Sequence, residues 1–408
     1  MKVLRIHTEY NKGGASVGAL MLHNEINAFP DSEDIFAHGK GEKVKGDPRV
    51  VRFAIQAEVL LHAFITRISG IQGCGTYFST NRLLRLVDRW QPDLIHFHNI
   101  HGYYIDFSVA KRLKGLSIPV VWTIHDGWSL TGRCVYLRGC KKWMDGCGSC
   151  PDLAKYPRTY YDSSKFMWKR KRRLLGNDWS PVLVSPSNWL GSILAETISN
   201  KCDIRVIPNG VDKELFNPGN QIEIRSKLGT PLDRKIILFL ASDLKNKEKG
   251  AKYFFESLEY VKSRNFMVLT VGRKIDLSRI VKEGIDIVQM GYVENREDLA
   301  NIYASSDIFC TTSLEENFPR VVLEAMSSGT PVVGFNVGGI SEQLKSDCGL
   351  LANPFDVKTL AGMIDNLLED DKKREFMSRR CRERVIAEYG NELFVKRYIN
   401  LYEELIGG

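Results

Sequence analysis

Glu316-Asn317-Phe318-Pro319-Arg320-Val321-Val322-Leu323-Glu324, continuing as Ala325-Met326-Ser327-Ser328-Gly329-Thr330-Pro331-Val332-Val333-Gly334, is the stretch that decides the fold. It predicts a loop, a helix that opens with Pro319 and stops at Gly329, and a buried strand. Proline suits a first helical position because the N–H it lacks would be unpaired there, and glycine suits the residue just past a helix end. The unpaired N–H groups of the first turn, with the positive end of the helix dipole, form an anion site that suits a phosphate. Glu316 falls in the loop before that site, and Glu324 about one turn inside the helix. Two carboxylates bracketing a phosphate cradle suggest a nucleotide that also carries hydroxyl-rich groups. The plainer alternative makes Glu324 a solvated helix residue and Glu316 an acid placed to suit the dipole.

Outward from this stretch, 408 residues are too many for one compact core and suit two domains. A hydrophobic share of 43% and a charged share of 26% exclude disordered and fibrous classes. The formal charge of +8 suggests an acidic partner without choosing among nucleic acid, anionic lipid and nucleotide phosphates. No apolar run of about 18 residues is present to span a bilayer; the most apolar candidate, Val50 to Ile71, is broken by Arg52, Glu58, His62 and Arg67. Met1 leads at once into Val3-Leu4-Arg5-Ile6 with no signal-type region, so a cytoplasmic protein is expected.

The first strand, Val3 to His7, runs into Asn11-Lys12-Gly13-Gly14-Ala15 and a helix, and the glycine pair lets the backbone approach a ligand closely. Residues 50–90 read as helical, with apolar Val59, Leu60, Leu61, Phe64, Ile65, Leu83, Leu84, Leu86 and Val87 among basic Arg67, Arg82, Arg85 and Arg89. An ordinary amphipathic surface is the simpler reading; a membrane-facing helix is the other. Two further buried strands end at His98-Asn99 and at His125-Asp126, and the alternation of strands with helices implies a parallel sheet. Polar residues just past strand ends are where open α/β sheets bind ligands, which favours a functional role for His98, His125 and Asp126.

Cys134, Cys140, Cys147 and Cys150 follow, with five, six and two residues between successive members. The count fits a closed four-cysteine zinc site of structural type, although the outer spacing is not that of a standard finger. Reduced thiols or two disulfides are the alternatives, the latter disfavoured in a cytoplasmic protein. Such a zinc would pin an insertion rich in Trp128, Tyr136 and Trp143 beside His125. The remaining cysteines, Cys74, Cys202, Cys310, Cys348 and Cys381, are expected to be buried free thiols. The basic run from Lys165 to Arg173 reads as a solvated face, with binding to membrane phosphates or nucleic acid as the alternative.

Glu316, seven residues, Glu324 and the Ala325-Met326-x-x-Gly329-x-Pro331-Val332-Val333 run together resemble the signature of the retaining glycosyltransferases of glycosyltransferase family 4. Pro208-Asn209-Gly210-Val211-Asp212 closely matches the opening of that family's second domain, and Ser187-Asn188-Trp189-Leu190, Lys249-Gly250 and Gly291-Tyr292-Val293 match further segments. The resemblance implies an α/β protein of GT-B fold, two Rossmann-like domains facing a central cleft. An N-terminal acceptor domain would span 1–205, with a Cys-rich insertion at 128–152. A nucleotide-sugar domain would span 206–385, and a helix at 386–408 would return to the first domain, its apolar face made by Phe394, Tyr398, Leu401 and Leu405.

The activity it implies is transfer of a sugar from a nucleotide diphosphate sugar to a glycan or lipid-linked oligosaccharide in bacterial surface polysaccharide synthesis. A sugar-nucleotide epimerase or a phosphorylase is the alternative on the same fold. The expected catalytic residues are His125, Glu316 and Lys249. The expected donor contacts are Gly13, Gly14, Lys247, Gly272, Tyr292, Val293, Asn317, Phe318, Pro319, Arg320, Val321 and Glu324; the acceptor would meet His98 and Asp126. No catalytic metal is expected, since nothing resembles an Asp-x-Asp pair. Peripheral contact with the anionic inner membrane face is the implied partner surface, and no nucleic acid is expected. One departure stands out: the family's Gly-Arg-Leu, a source of cation for the diphosphate, is replaced by Ser242-Asp243-Leu244, with Lys245 and Lys247 nearest.

Overall fold

The computed structural model describes residues 1–175, 179–198, 202–277 and 284–408. The chain divides into two compact units, Met1–Pro208 with Val395–Gly408, and Asn209–Phe394.

The first unit is built on seven parallel strands: β1 (Lys2–Glu9), β2 (Glu33–Lys40), β3 (Val50–Arg52), β4 (Leu94–Phe97), β5 (Val120–Thr123), β6 (Val182–Ser185) and β7 (Ile204–Val206). Their spatial order is β3-β2-β1-β4-β5-β6-β7. The chain builds outward from β1 to one edge, then restarts beside β1 with β4, so the topological switch lies between β1 and β4. Both faces of such a sheet are covered, which is why β1 is buried from Val3 to His7 even though Arg5 and His7 interrupt its apolar run. Register sets Arg5 beside His96 and Ile6 beside Phe97.

Residues 50–90 are not wholly helical. Val50–Arg52 forms the edge strand, and two helices follow, α2 (Gln56–Ser69) and α3 (Tyr77–Trp90), after α1 (Gly14–Ala28). The facing of α2 also departs from expectation. Its buried residues are Val59, His62 and Thr66, while Leu60, Leu61, Phe64 and Ile68 are exposed at 61%, 50%, 61% and 49%. Hydrogen bonds explain the inversion: Gly73 N–H donates to His62 Nε2 at 2.9 Å, and Thr66 Oγ1 donates to the Ile71 carbonyl at 2.8 Å. These bonds turn the polar side of the helix inward and leave the apolar side to the surface.

The second unit carries six parallel strands: β8 (Lys235–Asp243), β9 (Phe266–Arg273), β10 (Ile287–Gly291), β11 (Ile308–Thr311), β12 (Val332–Phe335) and β13 (Gly349–Ala352). Their order is β10-β9-β8-β11-β12-β13, with the switch between β8 and β11. Ile236, Leu238, Val268, Leu269, Ile308, Val332 and Val333 are fully buried in its core, each contributing about 1.5–3 kcal/mol by removal from water. The C-terminal helices run Val357–Glu369, Asp371–Arg384 and Asn391–Gly407, with a π-helical turn at Val385–Tyr389. Phe394, Tyr398 and Leu401 of the last helix are buried, as its apolar pattern predicts, whereas Leu405, expected on the same face, is only half-buried near the end of the helix.

Candidate active site

In the second unit the expected donor residues gather beyond the C-terminal ends of β8 to β11. After β8 the chain makes a short 3₁₀ turn, Lys247–Lys249, capped by the Asn246 side chain, and enters the Ala251–Leu258 helix through Gly250. Gly250 has φ +70°, and a Cβ there would lie 1.9 Å from the Thr312 carbonyl oxygen, so only glycine fits. Thr312 Oγ1 donates to the Gly250 carbonyl at 2.9 Å, and Leu314 N–H to Glu248 O at 2.9 Å, which ties the β8 loop to the β11 loop. Across that seam Lys249 Nζ meets Glu316 Oε1 at 2.6 Å. Lys247 and Ser242 are exposed.

Glu316 is held by its backbone. Its carbonyl accepts from Gly339 N–H at 3.0 Å, and a Cβ on Gly338, φ +53°, would sit 1.8 Å from the same oxygen. The turn at Asn336–Ser341 is therefore part of the site, a role its sequence did not announce. Gly272 makes a similar close approach, its absent Cβ falling 1.7 Å from the Ala241 carbonyl oxygen. Tyr292, after β10, is 66% exposed, with Val293 half-buried beside it.

The helix of the signature spans Arg320–Ser327, and Pro319 is its N-cap rather than its first helical residue. With ψ 127° Pro319 is extended, and its carbonyl is held by Gln343 Nε2 at 2.9 Å. Gly329 lies just past the end with φ +70°, as expected. Asn317 and Val321 are half-buried at the helix start, whereas the Phe318 ring packs against Tyr389, its carbonyl accepting from Asn209 Nδ2 at 2.8 Å. Glu324 is only 9% exposed and accepts from Tyr303 Oη at 3.3 Å. Burial raises its pKa, against the pull of Arg320, Arg296 and the Tyr303 hydroxyl. Arg320 is itself buried, and its Nε and Nη1 have no hydrogen-bond partner among the described residues. Tyr303 and Arg296 carry no motif signal; packing of their helix, Arg296–Ser305, brings them to Glu324.

In the first unit Gly13, φ +82°, caps α1 and Gly14 begins it, both exposed just past β1. His98 and His125 follow β4 and β5, and their rings stack 5.4 Å apart at 17°. His98 Nδ1 lies 3.1 Å from His125 Nε2. His98 is 2% exposed, and its other ring nitrogen faces Arg5 Nη1 at 3.4 Å. Burial lowers the His125 pKa to about 4, with Asp126 opposing and His101 assisting, so the ring is neutral at pH 7. Asp126 accepts from His101 Nε2 at 2.8 Å and from Trp128 N–H at 2.9 Å. Burial would raise its pKa; His101 and those hydrogen bonds outweigh this and lower it. His98, His101, His125, Asp126, Trp122 and Trp128 line one pocket. His101 was not foreseen.

The insertion after Asp126 is pinned by two buried basic side chains, of which Lys171 has its pKa taken well below the ordinary value by burial. Lys171 Nζ donates to the Trp128 carbonyl at 2.7 Å and lies 3.6 Å from that indole's centroid. Arg133 donates to the carbonyls of Asp152, Leu153, Lys155 and Pro157. The Lys165–Arg173 run is thus not a uniform solvated face: Lys165, Lys169 and Arg173 are exposed and Lys171 is core. The four cysteines are half-buried free thiols, and Cys134 and Cys150 are hydrogen-bonded to one another. Among the described residues no three His, Cys, Asp or Glu side chains gather closely enough to hold a metal ion. Of the scattered thiols, Cys202, Cys310, Cys348 and Cys381 are buried and Cys74 is half-buried.

Residues 12–215 match the family described as Glycosyltransferase Family 4, and residues 220–384 the one described as Glycosyl transferases group 1. Over the whole length the chain superposes on sucrose-phosphate synthase from Thermosynechococcus elongatus with a TM-score of 0.76 at 19% identity, covering 100% of this chain and 99% of that one. The fold is GT-B, and the protein is a glycosyltransferase. Within that class, the chain belongs to glycosyltransferase family 4. WcaC of Escherichia coli K12, named for colanic acid biosynthesis, is 25% identical over 429 residues, 99% of this chain and 100% of its own. An Escherichia coli UDP-Gal:alpha-D-GlcNAc-diphosphoundecaprenol alpha-1,3-galactosyltransferase is 28% identical over 339 residues, 79% of this chain and 78% of its own. No helix among the described residues is long and apolar enough to cross a membrane.

Proposed function

We propose that the enzyme moves a sugar, with retention of configuration, from a nucleoside diphosphate to a glycan carried on a lipid diphosphate. The observation that carries this reading is the Lys249–Glu316 pair at the β8/β11 switch, set beside the N-terminus of the signature helix. Lys249 and the backbone N–H groups of Arg320 and Val321, in the first turn of the signature helix, meet the charge that grows on the departing diphosphate. Lys247 and the buried Arg320 add positive potential where the family's arginine is replaced by Asp243. Glu324 holds the ribose hydroxyls, Tyr292 and Val293 meet the base, and Gly272 gives room for close backbone approach. Glu316 is the second unit's contact for the sugar; in the first unit His125, Gly13 and Gly14 are the contacts for the donor, and Asp126 receives acceptor hydroxyls. The relative that acts on a diphosphoundecaprenol substrate supports the lipid-linked acceptor. Both sequence relatives named above carry transferase names, which favours this reading over the epimerase or phosphorylase.

The acceptor's carrier would bring the enzyme to an anionic membrane surface. The outward apolar stripe of α2 supports this, together with exposed Tyr77, Phe78 and Phe166 and the exposed basic residues Arg82, Arg85, Arg89, Lys165, Lys169 and Arg173. Structural zinc remains the proposed occupant of the cysteine cluster, on the condition that the four thiols draw together around the ion, since no three of them stand close enough to hold it as they are; Cys147 is within electrostatic reach of Cys140 and Cys150, and Cys134 of Cys147. Metal analysis of the purified protein showing less than one zinc per several chains would remove it.

The central test is Glu324→Ala. Turnover of the cognate sugar nucleotide is expected to fall at least about 100-fold with the fold retained by circular dichroism; near-normal kinetics would refute the site.

A further inference from the structure

Arg5 lies in the middle of β1, fully buried, with Nη2 on Asp34 Oδ2 at 2.6 Å. A guanidinium only donates and does not lose its proton in proteins, so its neighbours must accept. Arg5 Nη1 reaches His96 Nδ1 at 2.8 Å and His98 Nε2 at 3.4 Å. Both nitrogens therefore present lone pairs, and each ring carries its proton on the opposite nitrogen. For His96 that is Nε2–H, which has Thr123 Oγ1 at 2.8 Å as acceptor. Tyr402 Oη agrees: it accepts from Arg5 Nη1 at 3.3 Å and donates its O–H to His96 Nδ1 at 2.6 Å, so the two Nη1 hydrogens are shared among three acceptors and both histidine nitrogens still face donors only. For His98 the proton is on Nδ1, aimed at His125 Nε2 at 3.1 Å. His125 Nε2 must then be an acceptor.

We propose that Arg5 and His98 are positioning residues that hold His125 in a single neutral tautomer, with the proton on Nδ1 and Nε2 closed by His98. The proposal rests on the reading of His125 as a residue that touches the donor sugar. Its consequence for transfer is that His125 does not shuttle protons through Nε2. A second proton on either His96 or His98 would face the guanidinium or a neighbouring N–H, with ring centroids only 4.1 Å apart, so the relay has one stable arrangement. Second partners of this kind commonly fix the tautomer and orientation of a working histidine, and their loss costs about 10–100-fold.

The test is a two-bond proton–nitrogen spectrum of the whole enzyme labelled with ring-¹⁵N histidine at pH 7.5, with His125 assigned by the signals lost in His125→Ala. Wild type is expected to show a protonated Nδ1 and a bare Nε2 at His125. His98→Leu, which cannot donate, should bring up the Nε2–H form and lower kcat about 10–100-fold with little change in donor KM. His98→Asn, whose amide N–H stands where Nδ1–H stood, should keep the wild-type tautomer and most of kcat. A wild-type His125 protonated on Nε2, or one whose tautomer ignores His98→Leu, would overturn the proposal. Full activity in His125→Ala would overturn the reading on which it rests, while the wild-type spectrum tests the tautomer by itself. Arg5 is left in place because removing it strands the Asp34 charge in the core.

Discussion

Lys249 Nζ and Glu316 Oε1, from loops that follow β8 and β11, stand 2.6 Å apart at the strand switch of the second unit. Neither is deeply buried, at 31% and 15% side-chain exposure, so the pair adds little to stability and its cost in side-chain freedom is better understood as preparation for ligand. Lys249→Met is expected to lower kcat/KM by about 10²–10³ through loss of leaving-group stabilisation. Glu316→Gln should also be severe, and the double variant should lose less than the product of the two, since each partner orients the other. Steady-state kinetics of the cycle checks this; multiplicative losses would show that the two act separately.

The glycine contacts give a stability contrast within one unit. Gly250→Ala forces a Cβ to 1.9 Å from a backbone oxygen at a left-handed φ, and a cost of about 3 kcal/mol or more is expected. Gly362→Ala, in the Val357–Glu369 helix with nothing within 4 Å of the new Cβ, should stabilise by about 0.5–1 kcal/mol. Denaturant midpoints followed by circular dichroism distinguish them.

Buried histidines set an acid limit for the first unit. Burial, the largest cause, lowers the pKa of His7 to about 3, of His62 to about 4 and of His125 to about 4, and takes His96 and His98 well below the ordinary value. Above about pH 6.5 these groups are neutral in both folded and unfolded chains and contribute no pH dependence. Below it the unfolded chain takes up protons that the folded unit refuses, so stability falls, by up to about 1.4 kcal/mol per pH unit for each histidine. All 7 tryptophans lie between residues 90 and 189, so indole fluorescence reports this unit alone. Its urea midpoint should drop clearly from pH 7.5 to pH 5.5; an unchanged midpoint would contradict the burial of these rings.

The outward stripe of α2 predicts lipid binding. The protein should sediment with vesicles containing phosphatidylglycerol, less so at about 0.5 M salt, where a Debye length of only a few ångströms screens the basic residues. Leu60→Ser with Phe64→Ser should weaken partition about 100-fold or more, as each side chain is worth about 1.5–3 kcal/mol when buried. Equal partition of the variant would exclude α2 as the contact.

Much of the geometry of the second unit's candidate site was legible because its residues are fixed locally. Pro319, Gly250, Gly272 and Gly329 sit where backbone geometry admits few alternatives, so their spacing survives as a readable string. The first unit was read less well. Arg5 and His96 are 91 residues apart and become neighbours only through strand register, and His101 is paired by a carboxylate 25 residues away. A charged residue inside the apolar Val3–Ile6 run was the one available signal of a buried polar network. In α2 the apolar pattern was seen but its facing was not, because the orientation is decided by hydrogen bonds from Gly73 and to Ile71 beyond the helix. Pro319 shows the limit of boundary rules: the residue was right and its position one step off.

Tyr402 gives the first unit a calendar. Its phenol completes the Arg5 and His96 contacts from 306 residues beyond His96, roughly 15–60 s of synthesis at about 5–20 residues per second. The unit made first on the ribosome is therefore the last to be finished. Through that interval the nascent chain lacks the phenol that completes the Arg5 and His96 contacts, and a stop codon in the final helix would leave them incomplete.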